Sequence, residues 1–109
     1  MILIVSKYLV PKGYRGLTVF PFVFLKQRES VVDAVLLNHE KIHLRQQLEL
    51  LLLPFFVWYG LEFLWHFSKE QDSKRAYRAI SFEREAYANE KDLHYLKQRS
   101  FWKFLKYFG

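Results

Sequence analysis

Two histidines four residues apart, His39 and His43, fall on the inward face of the strongest helical pattern in this chain. That placement constrains the fold more than any other feature. Val32, Leu36, His39, His43, Gln47 and Leu50 recur at three- and four-residue intervals, the period of an amphipathic helix. At 100° per residue, positions i and i+4 stack on one face, so both imidazoles reach the same point. Residues His39-Glu40-Lys41-Ile42-His43 match H-E-x-x-H, the helical pattern in which two histidines bind zinc. Glu40 stands about a quarter-turn away, placed to hold a water at the metal without ligating the metal itself. Without a metal, the same pair could be a hydrogen-bonded core cluster.

The chain has 109 residues, enough for one core and too few for two, and is read as a single domain over 1–109. Half of it is hydrophobic and 19% aromatic, which excludes a disordered chain. It has no cysteine, so disulfides and thiolate-held zinc are excluded and any metal must rest on His, Asp or Glu. The net charge of +6 fits an anionic partner but is spread along the sequence. No nucleic-acid fold signature accompanies it, and Arg75, Arg78 and Arg84 read as a solvated basic stripe. Met1–Val5 is too short for a signal-peptide core. The longest apolar run, Leu50–Leu61, is below the roughly 18 residues a spanning helix needs. The expected location is cytoplasmic, with no transmembrane helix.

Residues 1–29 read as β structure: a strand within Ile2–Leu9, turn residues at Pro11-Lys12-Gly13 and Gly16, and a second run at Leu17–Leu25. Pro21 inside that run marks an edge strand or a bulge. An exposed edge beside the histidine helix could take an extended peptide by β-augmentation. Ser30 is the expected N-cap of the histidine helix, with Asp33 in its first turn, and Pro54 should end or kink it near Leu53. An aromatic helix over 55–67, a polar connector at 68–73 and a third helix over 74–98 follow. A short basic-aromatic helix over 100–108 should set Phe101, Phe104, Leu105 and Phe108 on one face.

A catalytic zinc takes three protein ligands, so one is still to be found. The continuation H-E-x-x-H-x-x-G-x-x-H would need glycine at Gln46 and histidine at Glu49. Without the glycine bend, Glu49 lies about 240° round the helix from His43 and cannot reach the same ion. The other solution draws a glutamate from a separate helix, and Phe82–Glu90 offers Glu83 and Glu85. This segment resembles the E-x-x-A pattern of the glutamate helix in gluzincin metallopeptidases.

The resemblance implies Glu83 as third ligand, with Ala86 packed closely against the His39–His43 helix; Glu85 is the alternative ligand. Gluzincins often carry Asp or Asn after the alanine to orient a histidine, and this chain has Tyr87 there. The element order is also similar to that of the smallest gluzincins and of the catalytic core of antirepressor-type membrane sensor peptidases. The fold implied is α+β, a short N-terminal antiparallel β part followed by a mainly helical zincin-like core. The activity implied is zinc-dependent hydrolysis of a peptide or protein substrate, with Glu40 as general base. An oxyanion donor is also required; Tyr77, Tyr87, His94 and Tyr95 stand on or near the third helix.

A competing reading, from another class, is a non-catalytic zinc-stabilised module. It would attach to a membrane or a protein partner through residues 97–109. There Lys97, Arg99, Lys103 and Lys106 alternate with aromatics, as on an interfacial helix. The alternative role for this tail is to dock on the core near the cleft and shield it.

Overall fold

The computed structural model describes residues 1–108 and shows an α+β arrangement with a three-stranded sheet at the N-terminus. Strands β1 (Ile2–Val5), β2 (Gly16–Val19) and β3 (Phe22–Leu25) lie in the order β1-β3-β2. The expected antiparallel β part is in fact mixed: β2 and β3 form an antiparallel hairpin, while β1 joins β3 in parallel. The central place falls to the strand that buries most, since Val23 and Leu25 of β3 are fully covered. The first strand stops at Val5 because the Ser6 hydroxyl accepts the N–H groups of Tyr8 and Leu9, turning the chain. The run Leu17–Leu25 is two strands, not one. Pro21 sits in the turn between them, where no ladder bond is missing.

Helix α1 (Ala34–Leu50) begins later than expected. Asp33, not Ser30, caps it, accepting from the Leu36 N–H at 3.0 Å while Arg15 pairs with the same carboxylate at 2.6 Å. These contacts hold the Asp33 carboxyl below its usual range. Ser30 lies in a 3₁₀ turn, Arg28–Val32, that feeds the cap.

The chain breaks at Leu51, whose φ is 65°, and α2 (Leu52–Glu70) leaves at 112° to α1. Pro54 therefore interrupts nothing. It occupies the first turn of α2, where its missing N–H would have had no helical partner. Among the described residues no single helix is long and apolar enough to cross a membrane. Phe55 and Glu62 of α2 are buried, and Trp58, Tyr59 and Phe63 are partly so. They face a core of Leu50, Ile80, Phe82 and Phe104.

The third helix is three pieces: α3 (Ser73–Ala79), α4 (Ser81–Asn89) and α5 (Tyr95–Gln98). The first break, at the extended residue Ile80, is set by Glu62 of α2. Its carboxylate accepts both the Ser81 N–H at 2.8 Å and the Ser81 hydroxyl at 2.6 Å, capping α4 from outside. At the other end of α4, the Asn38 amide of α1 donates to the carbonyls of Asn89, Glu90 and Asp92. Both ends of α4 are thus tied to neighbouring helices, and Ala86 is completely buried against Ile42 of α1.

The tail departs most from expectation. It is a 3₁₀ turn, Lys103–Tyr107, in which only Phe104 is buried, while Phe101, Leu105 and Phe108 are exposed. Side chains of a 3₁₀ helix repeat every three residues, so the four do not share a face. Arg99, grouped with the basic tail residues, is buried in the core.

Candidate metal centre

Helices α1 and α4 pack so that three ligand atoms meet. His39 Nε2 lies 3.2 Å from His43 Nε2, and Glu83 Oε1 lies 3.2 and 3.0 Å from them. All three side chains are buried, and among the described residues they form a group able to hold a metal ion. Ligands about 2.0–2.1 Å from a tetrahedral ion are about 3.3 Å apart, close to the separations found.

The outer ring nitrogens settle which atoms are free. The Gln46 amide nitrogen donates to Phe82 O at 3.1 Å and to Glu85 Oε1 at 2.9 Å, so its carbonyl oxygen must face His43 Nδ1, 2.8 Å away. His43 therefore carries a proton on Nδ1, which leaves Nε2 as the atom a metal could take in place of its second proton. His39 Nδ1 is bonded to Glu90 Oε1 at 2.7 Å with the same result. Tyr59 donates to Glu83 Oε2 at 2.6 Å, leaving Oε1 to face the imidazoles. His39 Nε2, His43 Nε2 and Glu83 Oε1 thus converge out of water, an arrangement that needs positive charge among them, either a proton on an imidazole or a metal cation. This donor set could hold a metal ion.

Of the predicted ligands, His39, His43 and Glu83 are brought together and Glu85 is not. Residues two apart on a helix differ by about 200°, so Glu85 faces away from Glu83. It accepts instead from Tyr95, Gln46 and Arg99. The orienting role left open at Tyr87 is taken by Glu90, seven residues beyond Glu83 and hence two turns on along one face. Gln46 was legible in principle as one turn beyond His43. Tyr59 carried no sequence signal, because its approach depends on the bend at Leu51.

Glu40 is buried beside the ligands, and its Oε1 accepts from the Thr18 hydroxyl of β2 at 2.8 Å. Gly16 faces it closely: a Cβ there would lie 3.3 Å from Glu40 Cδ and 3.4 Å from Phe24 O. A cleft of about 290 Å³ opens over Glu40, His43 and Glu83, with Phe55, Phe56 and Phe63 on its apolar side. Of the four predicted oxyanion donors only Tyr77 lines this cleft, together with Tyr14 and Tyr59, which were not foreseen. Burial and the Glu83 charge push the Tyr77 and Tyr59 hydroxyls well above their ordinary pKa, keeping them as donors. Tyr87 bonds to the Tyr77 hydroxyl and packs its ring on His39, Tyr95 is committed to Glu85, and His94 is exposed. Among the described residues none of the tail lines the cleft, and these do not shield it.

Burial alone would lower the His43 pKa, but the Glu83 carboxylate outweighs it and raises the value to about 9. In the metal-free protein the Glu83–His43 pair is thus an ion pair. The folded value lies above the ordinary 6.5, so its contribution is full below pH 6.5 and is lost as the pH climbs through 9. Chelated protein is expected to lose on the order of 3 kcal/mol across that window. A metal ion held by His43 would have to displace this proton, so zinc affinity is expected to rise about tenfold per pH unit over the same range. Urea unfolding and zinc titrations from pH 6 to 9 check both. An affinity flat with pH, or stoichiometric zinc retained after His39→Ala with His43→Ala, would remove the assignment.

No protein-family model, no curated protein and no solved structure matches this chain.

Proposed function

We propose that this protein is a zinc-dependent peptidase of gluzincin type, cutting peptide bonds by attack of water. The observation that carries the reading is the convergence of His39 Nε2, His43 Nε2 and Glu83 Oε1 beside a buried Glu40 at an open cleft. His39, His43 and Glu83 would hold the ion. When bound, zinc supplies a Lewis acid that polarises a carbonyl and draws the pKa of a water toward 7.

The rest of the chemistry falls to the chain itself. Glu40 takes the water's proton and passes it to the leaving amine. Its Oε1 is held by Thr18, which fixes the carboxylate and leaves Oε2 for the proton. Tyr77, which lines the cleft, would donate to the developing oxyanion. Strand β2 is a sheet edge packed along α1, where an extended peptide can add by main-chain pairing. Gln47 already bonds Thr18 O and Phe20 N on that edge, at 2.7 Å each. Pairing is therefore confined to the Gly16–Thr18 end, next to Glu40.

Zinc-loaded protein incubated with a broad peptide library and read by mass spectrometry is expected to show cleavage. Chelation should stop it and added zinc restore it. A library left intact by fully zinc-loaded protein would overturn the reading.

A further inference from the structure

The cleft over His43 has a polar counterpart on the far side of Glu40. A second cavity of about 310 Å³ is lined by Arg15, Lys74, Arg78, Glu90 and His39, among others, and shares Tyr14, Gly16, Glu40 and Tyr77 with the first. The two cavities meet at the residue assigned as general base. One side is apolar, walled by Phe55, Phe56 and Phe63, and the other carries three cations.

Those cations are not equally committed. Arg15 is paired with Asp33 at 2.6 Å. Lys74 donates to Gly13 O at 2.7 Å and lies over the Tyr14 ring at 3.7 Å. The Arg78 guanidinium lies over the Tyr87 ring, also at 3.7 Å. Among the described residues neither Lys74 nor Arg78 has a carboxylate partner. Stacking on tyrosines fixes both charges in place without neutralising them. The carboxylates in this cavity are otherwise engaged: Glu90 with His39, and Glu40 with Thr18. Lys74 and Arg78 are exposed, and two cations without carboxylate partners beside a cleft make an anion subsite. For a peptide substrate the anion at hand is a carboxylate.

Resting on the peptidase reading, we infer that Lys74 and Arg78 form a carboxylate-binding subsite. The preferred substrate is a peptide with a large apolar residue on one flank of the cut bond and a carboxylate on the other. That carboxylate is either an acidic side chain or a free C-terminus. The two cavities join at Glu40, so a peptide cut there places one flank in each.

Three fluorescent peptides of one apolar sequence separate these sources: one with an acidic residue and an amidated end, one neutral with a free C-terminus, and one neutral and amidated. Their binding by anisotropy to Glu40→Gln protein incubated with zinc is the deciding measurement. At least one carboxylate peptide is expected to bind about tenfold more tightly than the neutral amide. The advantage should shrink with added salt and vanish when Lys74→Gln and Arg78→Gln are introduced together. Equal affinities for all three, or a preference that survives the double substitution, would overturn the subsite. Cleavage by wild-type protein is read separately. Carboxylate-dependent binding without any cleavage supports the subsite while removing the peptidase reading, and cleavage indifferent to the carboxylate does the reverse.

Discussion

Glu40→Gln protein is expected to bind zinc as the wild type does and to cleave peptides about 10²–10⁴-fold more slowly, the usual worth of a general base. The substitution preserves shape. A glutamine carbonyl can still accept from Thr18 Oγ1 at the position of Oε1, and the close approach of Gly16 is unchanged. What is lost is the ability to take a proton, since an amide offers an N–H₂ where the carboxylate offered a lone pair. Glu40 is not one of the three converging ligands, so metal content should hold. Zinc stoichiometry and peptide turnover measured on the same preparations test both halves. Equal turnover by the two proteins would take the base's role away from Glu40, and loss of zinc would make it a ligand.

The second large effect lies away from the cleft. Arg99 reaches Glu49 through Nη1 at 2.5 Å and Nη2 at 2.9 Å, and Glu85 through Nε and Nη2. The Arg99 and Glu85 side chains are fully buried, and Glu49 nearly so. Arg99→Met would leave two carboxylates facing each other out of water, and removing one partner of a buried ionic group costs about 3–5 kcal/mol. Glu85 also accepts from the Gln46 amide that orients His43, so zinc affinity should fall about 10–100-fold as well. Adding Glu85→Gln to Arg99→Met should recover part of the stability by removing one of the orphaned charges. Denaturant unfolding of the single and double variants measures this. A loss below about 1 kcal/mol for Arg99→Met would mean that the pairing is solvated and not structural.

The local parts of the site were legible because helical spacing is local. His39, Glu40 and His43 share one helix, so their mutual geometry follows from 100° per residue whatever the chain does elsewhere. Ala86 is expected against α1 only because the resemblance to the gluzincin glutamate helix implies it, and it is found there. Separating Glu83 from Glu85 required the orientation of α4, which is fixed by Glu62 at one end and Asn38 at the other. Those partners lie 19 residues from Ser81 and 52 from Glu90, and no periodicity reports contacts at such distances.

Boundaries shifted wherever a side chain competed for the backbone: Ser6 ending β1, Asp33 displacing Ser30 as cap, Glu62 breaking the third helix at Ile80. The tail misled for a related reason. Its spacing suggested one helix with a single aromatic face, but it forms a 3₁₀ turn, and Glu49 and Glu85, from other segments, draw Arg99 into the core. The sequence by itself determined the paired imidazoles and Glu40 on α1 and the α+β class. Tertiary structure decided the mixed strand order, which glutamate meets the two histidines, and the residues that orient the imidazoles. Burying a charged or polar group is tolerated only where a partner meets it, and the partners come from segments that meet only when the chain folds.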